Sequence, residues 1–130
     1  MTSSPVSQPP AIVLIFHGSR RPAARQEAQA LAERLAARVN APAVAVAFLE
    51  NTSPSIAEAL AALAAAGHRS IRAIPLFSLT GRHIEEDVPA AVAAFRQDHP
   101  TVAIVLETHL AASPWFVDAL AGCLARDPSL

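Results

Sequence analysis

Four short apolar runs, each followed by a stretch in which apolar residues recur at helical spacing, constrain this 130-residue chain more than any other feature. The first run, Ala11 to Phe16, is unbroken and rich in branched side chains. A run of that length without polar alternation fits a strand covered on both faces, as in a parallel sheet. From Pro22 the period changes: Ala24, Ala28, Leu31, Leu35 and Val39 share one helical face, and Pro22 suits a first helical turn. The unit then repeats. Ala43 to Glu50 is a second buried strand, and Ser53-Pro54 opens a helix that faces inward through Ile56, Leu60 and Leu63 and closes at Gly67. Ile71 to Phe77 is the third strand, with Pro75 marking where its regular ladder stops. A third helix starts between Gly81 and Pro89 and brings Val88, Val92 and Phe95 together. Val102 to Leu106 is the fourth strand, and a last helix after Ser113-Pro114 is expected to face inward through Val117, Leu120 and Leu124. Strands alternating with helices in this way predict an α/β fold: a three-layer sandwich whose four-stranded parallel sheet carries helices on both faces.

With 52% apolar and 16% charged residues, the chain has enough apolar surface for one core, and disorder is excluded for its bulk. The Ser/Pro-rich start, Met1 to Pro10, is expected to be a flexible tail, which leaves residues 11–127 as a single domain. Every basic residue is an arginine, the ten are dispersed, and the net charge is −1, so neither nucleic acid nor a membrane surface is an expected partner. No apolar run reaches the roughly 20 residues that cross a bilayer. The single cysteine, Cys123, has no internal disulfide partner and is expected in the core beside Leu120 and Leu124. The first residues carry no basic and apolar leader pattern, and the expectation is a cytoplasmic protein.

Ligands of open parallel sheets bind outside the carboxyl ends of the strands. His17 follows the first strand, Glu50 ends the second, Ser78 to His83 follow the third, and Glu107 to His109 follow the fourth. All of these share one edge. His17, Glu50 and His83 are 33 residues apart, about one strand-helix unit each, so the fold period rather than local sequence would bring them together. Two imidazoles and a carboxylate suit a borderline-soft ion such as Fe, Co, Ni or Zn better than Mg or Ca. Such a set also leaves coordination positions open, as a protein that hands its metal on requires. The competing reading is plain: a histidine after a strand is often only a loop residue, and a strand-end glutamate only an exposed one. Arg20, Arg21 and Arg82 flank the histidines, either as guanidinium forks for an acidic ligand or as ordinary surface charge. Ser19, Ser78 and Thr80 stand on the same edge as candidate substrate contacts. His109 is on that edge too, whereas His68 and His99 sit at helix ends on the opposite one and are expected to be solvated. Glu85, Glu86 and Asp87 are assigned the bland role of acids at a helix start. His17-Gly18-Ser19 lacks the glycines and lysine of a phosphate loop and the frame of a nucleophile elbow.

Taken together, the HGSR segment after the first strand (His17 to Arg20), the FLE at Phe48 to Glu50 with Ser53-Pro54-Ser55 behind it, and PLFSLTGRHIEEDVP from Pro75 to Pro89 resemble the small sirohydrochlorin chelatases called CbiX or SirB. The resemblance covers nearly everything after the tail, and its third segment is the most specific. It implies a chelatase-like fold and insertion of Co²⁺, Fe²⁺ or Ni²⁺ into sirohydrochlorin, with the metal as substrate and neither nucleotide nor organic cofactor. It implies metal binding and catalysis by His17 and His83, with Glu50 assisting, and a homodimer with the pocket near the subunit junction. Sirohydrochlorin is rich in carboxylates, which would give Arg20 and Arg82 a purpose, although relatives often have a small residue at the position of Arg82. A carrier that binds metal or tetrapyrrole without turnover, and a relative acting on a different tetrapyrrole, are the alternatives.

Overall fold

The computed structural model describes residues 8–129, together with all side chains in that span except that of His83. Most of the expected tail, residues 1–7, therefore lies outside the described residues. Four strands, β1 (Ala11–Phe16), β2 (Val44–Phe48), β3 (Ser70–Pro75) and β4 (Ala103–Leu106), form one sheet in the order β2-β1-β3-β4. Every pairing is parallel, with Phe16 opposite Phe48 and Ile15 opposite Pro75 at the carboxyl ends. The helices are α1 (Pro22–Ala36), α2 (Ile56–Ala65), α3 (Arg82–Asp98) and α4 (Pro114–Leu124), with a 3-10 turn at Leu110–Ala112.

The chain steps from β1 to β2 in one direction and through β3 to β4 in the other, so a constant crossover hand puts α1 on one face and α2 and α3 on the opposite one. The two cores follow that division. Val13, Ile15 and Ile71 pack with Leu60 of α2 and Val92 and Phe95 of α3. Leu14, Val46 and Phe48 pack with Ala28 and Ala32 of α1. The strand side chains alternate between these clusters with the period of two that a strand dictates.

Local signals set the helix ends. Pro22 occupies the first turn of α1. Ser55 caps α2 in a reciprocal box: its hydroxyl accepts from the Glu58 backbone N–H, and its own N–H donates to the Glu58 carboxylate. At the other end His68 N–H donates to Leu63 C=O and Gly67 N–H to Ala64 C=O, with Gly67 at φ 95°. That is a Schellman ending, and it needs the left-handed backbone that glycine adopts freely.

Three expectations about packing are corrected. In α1 the buried residues are Ala28 and Ala32, while Leu31 is exposed; Val39 lies past the end of the helix and is exposed as well. Two alanines one turn apart let the helix approach the sheet closely, which rotates the larger side chains to the margin. In α4 no residue is buried: Val117, Leu120 and Leu124 face out, and Cys123 with them. Their spacing defines an apolar stripe but not what lies beneath it. His99 is not simply solvated either; it is half-buried, its ring stacked on Phe95 at a centroid distance of 4.4 Å. Among the described residues, no helix is long and apolar enough to cross a membrane.

Candidate functional site

The sheet order decides which strand ends can meet. Because β1 lies between β2 and β3, a residue just past β1 has the end of β2 on one side and the loop into α3 on the other. His17 is that residue.

The β1–β2 ladder runs on beyond both strands, with Leu49 N–H donating to Phe16 C=O at 2.9 Å and Glu50 N–H to His17 C=O at 3.1 Å. These bonds bring the backbones of His17 and Glu50 alongside each other, and their side chains follow: His17 Nδ1 stands 3.6 Å from Glu50 Oε1. Donor atoms about 2.1 Å from a tetrahedral ion are about 3.4 Å from each other, so this gap fits a shared metal with little adjustment. Both side chains are about half exposed, open to an incoming ligand. On its other side the His17 ring meets Phe77 edge to face, with centroids 6.2 Å apart. Phe77 is buried, giving the imidazole a fixed wall.

The turns behind these residues are locked. Gly18 has φ 104°, and a Cβ there would lie 1.8 Å from the Glu50 carbonyl oxygen, so only glycine fits. The Thr52 hydroxyl accepts from Ser19 N–H at 3.1 Å and donates to Ser19 C=O at 2.8 Å, joining the loop after β1 to the loop after β2. Ser19 Oγ is occupied in accepting from Arg21 N–H. The expected substrate contact at Ser19 is thus also a structural joint.

His83 is the second residue of α3, at the carboxyl edge on the β3 side of His17. Its side chain lies outside the described residues. Arg20, Ser78, Thr80 and Arg82 are all exposed on this edge, and Ser78 C=O accepts from Ala111 N–H. Glu107, half-buried, pairs with Arg72 of β3: its Oε1 accepts from Arg72 Nε at 2.7 Å. Among the described residues, no group of three or more His, Cys, Asp or Glu side chains is gathered tightly enough to hold a metal.

Two open cavities lie along this edge, one of them lined by His17. One, of about 390 Å³, lies between His17, Phe16 and Phe48 on the sheet side and Leu31 of α1. The other, of about 250 Å³, lies between the ends of β3 and β4 and α3, with Thr80, Ile84 and His109 in its wall. His109 therefore faces a cavity, as its position on the edge suggested. Leu31, Phe77, Thr52 and the highly exposed Leu79 were not singled out from sequence as parts of this edge. For Leu31 the displaced α1 face was the missing signal; the others carry none that spacing reveals.

Comparison with known proteins places these features in context. The CbiX family model matches residues 11–126. The sirohydrochlorin ferrochelatase of Bacillus subtilis (strain 168) is 34% identical over 94 residues, covering 72% of this chain and 36% of that protein. The sirohydrochlorin cobaltochelatase of Methanosarcina acetivorans is 35% identical over 78 residues, which is 60% of each. Among solved structures, the sirohydrochlorin chelatase SirB from Bacillus subtilis subspecies spizizenii in complex with cobalt superposes with a TM-score of 0.74 at 32% identity, covering 88% of this chain and 49% of that one. The chain thus spans between about a third and three fifths of the length of these proteins.

Proposed function

We infer the activity from one premise: the chain belongs to the CbiX family. On that premise the protein inserts a divalent metal into sirohydrochlorin. The observation that carries the reading is the His17–Glu50 pair, an imidazole and a carboxylate 3.6 Å apart on the open carboxyl edge of the sheet. The curated relatives named above are a sirohydrochlorin ferrochelatase and a sirohydrochlorin cobaltochelatase, and the α/β frame of the cobalt-bound SirB matches this one.

In the proposed reaction His17, Glu50 and His83 hold the incoming ion and then yield it. Insertion exchanges these protein ligands for the ring nitrogens of the macrocycle, and two pyrrole N–H protons leave as the metal enters. No electron is transferred. A neutral imidazole or an ionised carboxylate released from the metal is placed to accept those protons, so delivery and deprotonation share one site. A loosely held, half-exposed pair suits an ion that must leave again, whereas a closed four-ligand site would retain it. Ser19, Arg20, Ser78, Thr80 and Arg82 line the same edge, and the two guanidinium groups suit the macrocycle's carboxylates. Leu79 and Leu31 offer apolar contacts for its flat faces.

Co²⁺ is the proposed metal, with Fe²⁺ and Ni²⁺ accepted by the same donors. The names of the relatives divide between cobalt and iron, in keeping with a donor set that does not discriminate strongly. The test is a metal-by-metal rate comparison on sirohydrochlorin, followed through its absorption spectrum. Acceleration over the spontaneous reaction with at least one of the three ions is expected. Stoichiometric binding of metal or macrocycle without acceleration would instead identify a carrier.

A further inference from the structure

One titratable residue on the carboxyl edge faces open space and takes no part in the metal site. His109, half-buried, lines the cavity of about 250 Å³ between the ends of β3 and β4 and α3. Buried Val88 and half-buried Leu106 give this cavity an apolar inner wall, while Thr80 and Glu85, both exposed, stand at its mouth with Glu107. Pockets that enclose a whole drug-sized ligand run to roughly 300–1,000 Å³. This one is too small for a macrocycle and suits a single substituent, apolar along its length and polar at its end.

The cavity stands at a defined reach from His17. Phe77, whose ring walls His17, belongs to the same core cluster as Val88, so the His17 imidazole and the cavity share one face of the sheet. In the order β2-β1-β3-β4 the residue after β4 is two strands away from the residue after β1, roughly 10 Å at ordinary strand spacing. That is about the reach from the centre of a tetrapyrrole to the end of one of its acid arms. The level along the strands agrees, because the ladders run on past them: Leu76 N–H donates to Ile15 C=O and Leu110 N–H to Phe77 C=O. The backbone of His109 is also held from behind. Ser113 is buried, and its hydroxyl donates toward Thr108 C=O at 3.1 Å and His109 C=O at 3.0 Å while meeting the Thr108 hydroxyl at 2.9 Å.

Two carboxylates line the cavity, and each has a cation to offset it. Glu107 is paired with Arg72. Glu85 follows Arg82 by three residues on α3, a spacing at which helical side chains are neighbours. The groups left to meet a ligand are the His109 imidazole and the Thr80 hydroxyl, both able to donate to an oxygen anion. We propose that this cavity takes one acid arm of the macrocycle, its methylenes against Val88 and Leu106 and its carboxylate on His109 and Thr80, with the ring centre then lying over His17. His109 is on this account a substrate-binding residue and not a metal ligand. The proposal rests on sirohydrochlorin being the substrate, and adds which cavity seats its edge.

Equilibrium binding of metal-free sirohydrochlorin, read from its absorption, and steady-state Co²⁺ insertion test it on the full chain, with far-UV circular dichroism to check the fold. His109→Ala is expected to weaken binding and raise KM about tenfold, the loss of one charge-assisted hydrogen bond. Its kcat, and its affinity for Co²⁺ without the macrocycle, should change less than about threefold. His109→Gln keeps an N–H donor and is expected to restore binding to within about threefold of wild type. Glu85→Gln removes a negative charge from the mouth and should tighten binding by about two- to threefold. Unchanged binding and KM in His109→Ala overturns the proposal, and so does a His109→Gln variant that binds no better than His109→Ala, which would leave His109 a structural part only. A fall in Co²⁺ affinity in His109→Ala, or weaker sirohydrochlorin binding in Glu85→Gln, makes the cavity a cation site and overturns it too. Should His109→Ala lose its spectrum, His109→Leu, closer in volume, takes its place with the same expected loss. A wild type that inserts metal while His109→Ala is unaltered ends this proposal alone. Binding without insertion ends the insertion reading alone, and a wild type that does neither ends both.

Discussion

Gly18 and Glu50 are fitted so closely that a β carbon on the first would stand 1.8 Å from the carbonyl oxygen of the second. The contact is backbone against side chain, so no rotamer relieves it, and φ 104° adds its own strain for any L side chain. Gly18→Ala must push the His17 and Glu50 backbones apart and break the 3.1 Å bond between them. It is expected to cost about 2–4 kcal/mol of stability and to lower the insertion rate nearly as far as loss of His17 itself. Thermal unfolding and the sirohydrochlorin rate, measured on the same preparation, check both. A variant with wild-type stability and rate would show that the two loops do not meet as described.

Removal of the donors themselves separates their parts. His17→Ala is expected to reduce the rate by about 10² or more, since it deletes both a metal ligand and a proton acceptor. Glu50→Gln keeps the volume and loses only the charge, and an effect of about 10–100-fold is expected. Neither should move the unfolding temperature by more than a degree or two, because both side chains are half exposed. Rates unaffected by either change would remove the pair from the chemistry.

The strands were legible because a parallel sheet covered on both faces leaves unbroken apolar runs, and Ala11–Phe16 was bounded correctly by its residues alone. The edge was legible for the same reason: once strand ends are known, His17, Glu50 and the loop before His83 must share a side. Distances were not. Nothing in the spacing of 33 residues says that His17 and Glu50 are neighbours; that follows from β2 lying next to β1, a property of the whole sheet. Helix burial was legible only where the partner surface was fixed. Val88, Val92 and Phe95 of α3 lie on the sheet as their period suggests. Leu31 failed because neighbouring alanines admitted a closer approach, and Leu120 because a moment has a direction but no address.

Thr52 joins the loops after β1 and β2 through a hydroxyl that both accepts from and donates to the Ser19 backbone. Thr52→Val preserves shape and deletes both bonds, leaving a partly buried N–H and C=O to find water. A loss of about 1–2 kcal/mol is expected. The insertion step should suffer mainly through a higher KM, as Ser19 and Arg20 lose their anchor while His17 and Glu50 keep theirs. A change in kcat alone would contradict that division.

The Ser55–Glu58 box at the start of α2 gives a prediction with a defined sign in pH. Ser55 N–H, and then its hydroxyl, hold the Glu58 carboxyl below the usual carboxylate range. A carboxylate with a depressed folded pKa stabilises the native state above the unfolded value, and the contribution fades as pH falls through the folded one. Glu58→Gln should therefore lower the unfolding temperature slightly near neutral pH, and the difference from wild type should fade as the pH falls through that lowered pKa. Ser55→Ala removes the cap at every pH and is expected to cost about 1 kcal/mol. Since Ile56, Leu60 and Leu63 of α2 anchor the larger core, this loss should register in global unfolding rather than as fraying of one turn. Hydrogen exchange at the first turn of α2 distinguishes the two: protection falling there alone, with the unfolding temperature unchanged, would mean that the cap stabilises only its own end.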